Sequence, residues 1–248
     1  MGSLSKAKPS LKRIAIVIPY KDTPARLHEV LRDIEITLGN ENFREPLILL
    51  FDDASEFPVQ KSNLHPYIQL HRLEENQGYG AVQKKAFDVI LQSNEIDFVL
   101  LLHGDNQYHL KDLLHLLHSI DIHDFGILNR MTSRGSLEYH PFLRRISNQI
   151  LTEIVNFQMK TNYQDLHSGG RVYRSAMLRN IPYQNFSDDF FFDQQMLLYL
   201  LEEQASGVEY PIVADYASGS SSISYPRAIK YGLQCLQSIF LSRSIIDG

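Results

Sequence analysis

His103, Asp105 and Gln107 stand two apart, directly after the apolar run Phe98–Leu102. In an extended stretch that spacing turns all three side chains to one side. One imidazole nitrogen and two oxygen donors suit Mg2+ or Mn2+, and such an ion also grips a diphosphate. Gly104 lets another group approach the backbone closely. The plainer reading is a turn with a buried, hydrogen-bonded histidine.

Other groups could serve the same chemistry. Asp52 and Asp53 follow the apolar run "PLILLF", where a carboxylate can accept hydrogen bonds from a ribose or a base N–H. The competing reading is an Asp that opens a turn. Gly78-x-Gly80 precedes a helical pattern and could cradle a phosphate, although a lone Gly-x-Gly is weak evidence and a plain tight turn is the favoured reading. Arg130, Arg134, Arg144 and Arg145 could clamp a phosphate or form a solvated basic face. Asp188, Asp189 and Asp193 flank three phenylalanines. A carboxylate beside such bulk can act as a base, or can simply open a helix.

These groups need a scaffold. "RIAIVIPY" (13–20), "PLILLFDDAS" (46–55), "IQLHRL" (68–73), residues 98–102 and "FGILN" (125–129) read as buried strands. Residues 23–38, 80–92 and 110–120 carry apolar residues at helical spacing. Strands alternating with helices imply βαβ units and a mostly parallel sheet. Ligands in such sheets bind at the carboxyl ends of the strands, where "PYKD", "DDAS" and "HGDNQ" fall.

The chain has 248 residues, 44% apolar and 21% charged, with a formal net charge of −5. That supports a folded core and argues against a general nucleic-acid binder. The lone Cys235 allows no internal disulfide and suits a reducing compartment. No apolar run approaches the ~18 residues of a membrane span. The expectation is a disordered lead over 1–12 and one domain over 13–248, cytoplasmic, with membrane contact at most peripheral. The amphipathic stretch 228–241 is the segment for such contact. Residues 13–129 read as a nucleotide half and 130–248 as an acceptor half.

In order, the segments resemble a family-2 glycosyltransferase of the GT-A fold, nearest in pattern to its dolichyl-phosphate mannosyltransferase-like, polyprenyl-phosphate branch. "IAIVIPYKD" is similar to the opening strand of that family. "DDAS" resembles its Asp-Asp-Gly-Ser, "NQGYG" its Asn-x-Gly-x-Gly and "HGDNQY" its metal motif. "DLHSGGRVYRSAML", "FFFDQQML" and "YPIVADYASGSSSISYPRAIKYG" resemble its later blocks. The resemblance implies an α/β fold with a mixed, mostly parallel sheet flanked by helices. It implies inverting sugar transfer from a UDP- or GDP-linked donor to a phosphorylated polyprenyl carrier.

On that resemblance, Pro19, Tyr20, Asp22, Asp52, Gly78, Gly104 and Asp105 bind the nucleotide sugar. Asp105, Gln107 and His103 hold Mg2+ or Mn2+. Arg130, Arg144, Ser147 and Ser221 meet the acceptor phosphate, and Asp105 and Asp189 are the catalytic candidates. His103 replaces the first Asp of the family motif, and Lys21, Asp22 and Thr23 stand where Tyr-Asn-Glu is usual. Two alternatives remain open: transfer to a saccharide or protein hydroxyl, with a base among Asp188, Asp189 and Asp193, and a non-catalytic nucleotide-sugar-binding protein.

Overall fold

The computed structural model describes residues 12–39, 44–132, 142–213 and 225–240. In chain order its elements are β1 (Arg13–Tyr20), α1 (Pro24–Gly39), β2 (Arg44–Asp52), β3 (Ile68–Arg72), α2 (Tyr79–Leu91), β4 (Phe98–Leu101) and α3 (Leu110–Ser119). Then follow β5 (Phe125–Asn129), α4 (Phe142–Met159), β6 (Arg171–Arg174), α5 (Ser175–Leu178), α6 (Phe191–Glu202), β7 (Gly207–Pro211) and α7 (Tyr225–Phe240). The strands form one sheet in the order β3-β2-β1-β4-β6-β5-β7. β6 runs antiparallel to β4 and β5, and the other neighbours are parallel.

Side-chain alternation divides the core into two layers. Ile14, Ile16 and Ile18 of β1 join Ile48, Leu50 and Leu100 beneath Val30 and Ile34 of α1 and Leu113 and Leu117 of α3. Ala15, Val17, Leu49, Phe51, Val99 and Leu101 face the other way, toward Val82, Ala86, Phe87 and Ile90 of α2 and Met196 and Leu200 of α6. β1 is therefore apolar on both faces, as a central parallel strand must be. Each such aliphatic side chain contributes roughly 1.5–3 kcal/mol on burial.

The strands and helices expected before residue 130 are all present. β6 and β7 carry too weak a pattern to be expected. "RVYR" has only four residues and ends in arginines, and "GVEYP" is a half-buried edge strand. β6 lies between β4 and β5, so one sheet spans both halves of the chain.

The chain builds β1, β2 and β3 outward in one direction and then returns to lay β4 on the other side of β1. The crevice between the β1 and β4 carboxyl ends is the switch point of the sheet, where open α/β folds take ligands. The loop after β4 is fixed to β1 there: Leu102 N–H donates to the Val17 carbonyl at 2.9 Å, and Gly104 N–H to the Pro19 carbonyl at 3.0 Å. A Cβ at position 104 would lie 2.9 Å from that Pro19 oxygen, so glycine is what fits.

Candidate active site

A cavity of about 740 Å³ opens at this crevice. Pro19, Tyr20, Asp22, Gly78, His103, Gly104, Asp105 and Asp189 all stand on its wall. So do Asp53, which the sequence offers beside Asp52 but the resemblance leaves out of the binding set, and Asn76, Gln77, Tyr79 and Phe190, which the sequence pattern does not single out. Three of these lie inside "NQGYG", a motif whose individual side chains carry no signal of their own.

Asp52 is not on this wall, which corrects its expected role. Its carboxylate accepts from Ser55 N–H at 2.8 Å and Val59 N–H at 3.2 Å, and pairs with Arg72 at 2.5 Å. Burial alone would raise its pKa, but the bonds from Ser55, Val59 and Arg72 outweigh that and hold it below the ordinary carboxylate value. Ala54 has a left-handed backbone (φ 51°), which folds the chain back into this loop, and the cavity receives Asp53 instead.

Asp53 accepts from Gln77 N–H at 2.8 Å and Gly78 N–H at 3.0 Å. The next amides, Gly80 and Ala81, donate to the Asp188 carbonyl at 2.8 and 3.2 Å. Four N–H groups around the start of α2, those of Gln77, Gly78, Gly80 and Ala81, are thus already used, so the Gly-x-Gly stretch acts as a packed turn and not as an open phosphate cradle. Gly78 is required twice over. Its φ is +101°, and a Cβ would overlap the Asp188 carbonyl. Lys84, almost fully buried, holds the facing loop through the Gln184 and Phe186 carbonyls and the Asp188 carboxylate.

His103 lies at the floor. Its Nε2 is 2.8 Å from the Tyr79 hydroxyl, which is 3.1 Å from Asp193 Oδ2. Gln83 donates to Asp193 Oδ1 at 2.9 Å, and Arg171 to the Asp193 carbonyl at 2.8 Å. Burial first, and the Asp193 charge second, push the Tyr79 phenol well above its ordinary pKa. Asp193, a candidate base by sequence, is engaged in this network. Asp189 faces the cavity and also accepts from Phe190 N–H at 2.8 Å, opening α6.

Gln107 is not on the wall, because the segment is a turn and not an extended strand. Asn106 takes a left-handed conformation (φ 59°), and Gln107 N–H folds back to Asp105 Oδ1 at 3.3 Å. His103 and Asp105 remain as the cavity's nitrogen and oxygen donors. Among the described residues no three His, Cys, Asp or Glu side chains gather into a metal cage. This donor set fits a cation that takes most of its ligands from a bound anion and water, as Mg2+ commonly does with one or two carboxylates and substrate phosphates.

Of the acceptor-phosphate residues, Arg130 and Ser147 are not brought to the cavity. Arg130 is buried and bonds Asp165 through Nε at 2.7 Å and Nη2 at 2.9 Å, so its guanidinium serves an internal pair. Ser147 is exposed on α4, off the cavity wall. The Arg144 side chain, Arg134 and Ser221 lie outside what the structure describes.

No family model matches the chain, and no curated protein matches it in sequence. Solved structures do. One is glucosyl-3-phosphoglycerate synthase from Mycobacterium tuberculosis, in complex with Mn2+, UDP and glucosyl-3-phosphoglycerate. It is 14% identical with a TM-score of 0.65 over 94% of this chain and 80% of that one. A second is mannosyl-3-phosphoglycerate synthase from Rubrobacter xylanophilus, 12% identical with a TM-score of 0.65 over 94% of this chain and 74% of that one. The chain has a GT-A fold. At this level of identity the likeness concerns architecture alone. Among the described residues no helix is long and apolar enough to cross a membrane.

Proposed function

We propose that this chain is an inverting, metal-dependent glycosyltransferase that takes a sugar from a UDP- or GDP-linked donor to a phosphorylated acceptor. The observation that carries the reading is the charge of the cavity. Asp22, Asp53, Asp105, Asp188 and Asp189 stand on its wall against Lys21. The Gln77 and Gly78 amides before α2 are taken by Asp53, and the Gly80 and Ala81 amides within it by the Asp188 carbonyl. A diphosphate enters such a cavity only with a cation. Asp105 and His103 would hold that ion, Mg2+ or Mn2+, and it would neutralise charge on the leaving diphosphate.

The protein's own contribution is positioning. The Pro19–Tyr20 strand end and the Asn76–Gly78 turn, pinned by Asp53, form one rim for the nucleotide. His103 and Asp105 form the floor beneath the diphosphate, and Asp189 with Phe190 forms the facing rim. An acceptor phosphate oxygen attacks the anomeric carbon from the face opposite the diphosphate. The bond from that carbon to the diphosphate oxygen breaks, the nucleoside diphosphate leaves with the electron pair, and configuration inverts. A phosphate oxygen brings no proton, so no base is needed. A hydroxyl acceptor would give its proton to Asp189.

The sequence resemblance favours a polyprenyl phosphate as the acceptor. A small phosphorylated acid is the second reading, favoured by the M. tuberculosis synthase of the same fold crystallised with phosphoglyceric acid. Thermal-shift titration with UDP- and GDP-sugars, with and without Mn2+, tests the donor assignment. A true donor at 100 times its Kd adds about 2.7 kcal/mol of stability. Product analysis with polyprenyl phosphate and with 3-phosphoglycerate then separates the acceptors. Metal-dependent binding without transfer to either indicates an unphosphorylated acceptor or a binding protein, and no shift with any donor overturns the reading.

A further inference from the structure

The His103 ring is held on three sides. Tyr79 meets it edge-on, with ring centroids 5.3 Å apart and planes at 63°. Tyr108 does the same at 5.3 Å and 85°. The third side is the backbone of Gly169, where a Cβ would overlap Cε1 and lie 2.6 Å from Nε2. Gly169 N–H in turn donates to the Tyr108 hydroxyl at 3.0 Å, which fixes the clamp itself.

Hydrogen-bond bookkeeping then sets where the ring's proton sits. The Asp193 carboxylate only accepts, and its Oδ1 already takes a proton from Gln83 at 2.9 Å. Tyr79, 3.1 Å from Oδ2, therefore donates its single O–H to Asp193. That hydroxyl has no second proton for its 2.8 Å contact with His103, so Nε2 of His103 is the donor there. A neutral imidazole has one N–H, which leaves Nδ1 with a bare lone pair. Gly169 stands against Cε1 and Nε2, with Nδ1 the next ring atom at 3.4 Å from the same Cβ position, and the ring as a whole lines the cavity.

We propose that Tyr79 and Asp193 form a relay that fixes His103 as its Nε2–H tautomer, so that Nδ1 is presented to a divalent cation beside Asp105. The inference rests on reading the cavity as a metal-assisted donor site. Tyr79 is then a positioning residue that acts through His103. A ligating histidine generally passes its other N–H to such a partner, whose loss weakens metal binding about 10–100-fold. A nitrogen donor also tilts the site toward Mn2+ over Mg2+, which prefers oxygen.

The test uses the full chain labelled with 15N-histidine, free of metal and alkaline of the ordinary histidine range. Two-bond 15N–1H spectra assign the tautomer, and His103→Gln identifies the resonance. The expected wild-type pattern is Nε2–H. In Tyr79→Phe that preference is lost, and Mn2+ affinity, measured by electron paramagnetic resonance with UDP present, falls by about 10-fold or more. An Nδ1–H pattern in the wild type overturns the relay even if the variant fails to fold, and unchanged Mn2+ affinity in a folded Tyr79→Phe overturns its role. Absence of Mn2+ binding by the wild type overturns the donor-site reading and the metal role together. The spectra still report the tautomer in that case, so the two failures are distinguishable.

Discussion

Two buried polar networks lie within one sheet and differ in how they end. Arg130 and Asp165 form a closed one. Two guanidinium bonds and the Arg130 N–H converge on the Asp165 carboxylate, and Asp165 N–H donates to Glu209 at 2.8 Å. Burial would raise the Asp165 pKa, but the Arg130 charge and bonds outweigh it and keep it low. The chain His103–Tyr79–Asp193 is open: its bonds run outward from Asp193 and finish at a ring on the cavity wall. Residue type alone would rank the arginine above the tyrosine as a functional group. What separates them is whether the network ends among other protein groups or on a side chain that lines the cavity.

The comparison breaks most sharply at the closed network. Arg130→Ala leaves the Asp165 charge buried without its partner and should cost about 3–5 kcal/mol of stability. Urea denaturation measures it, and the fraction that stays folded should keep its acceptor KM. A raised KM with wild-type stability would instead put Arg130 at the acceptor.

A second test concerns His167, which sits beside this pair and bonds the Tyr231 hydroxyl through Nδ1 at 2.9 Å. Its pKa is pushed down to about 4, mainly by burial, with Asp165 opposing and Arg130 and Arg171 adding. The unfolded chain takes up this proton near pH 6.5, so between about 6.5 and 4 the unfolded state binds more protons. Stability therefore falls as pH drops through that window, by roughly 3 kcal/mol in total at 1.36 kcal/mol per unit. His167→Asn should flatten that part of the stability–pH curve. An unchanged slope would mean that His167 is protonated in the folded protein.

The smallest of the three effects in free energy is the one at the open end. Asp105→Asn should cut Mn2+-dependent turnover of the donor by roughly 100-fold, about 2.7 kcal/mol, with the melting temperature nearly unchanged. Loss of stability with turnover intact in the surviving fraction would reverse the assignment of the two regions.

What is legible in the sequence follows the same division. Central strands buried on both faces announce themselves as apolar runs, so residue pattern alone places the scaffold of the cavity. The Pro19, Gly104 and Asp105 positions come with it, because they sit immediately at strand ends. Side-chain direction beyond a strand end is not legible. Asp52 is still the last residue of β2 and meets its register partner Arg72, so alternation sends Asp53 to the cavity, and the left-handed Asn106 withdraws Gln107. The fate of Arg130 depends on a partner 35 positions away, beside a strand the sequence barely marks.

The placement of β6 also orders events during synthesis. Among the described residues β5 pairs with β6 and β7 alone, and both are made after it. When residue 129 has left the ribosome, β1 to β4 can already assemble, but β4 ends in an open edge and β5 has no partner. Both wait until residues 171–174 arrive to be inserted between them. An open, apolar β4 edge is a template for pairing with other chains. Non-local pairing of this kind is slow and leaves such surface exposed. Ribosome-stalled chains ending before residue 171 are therefore the species of this protein most in need of a chaperone.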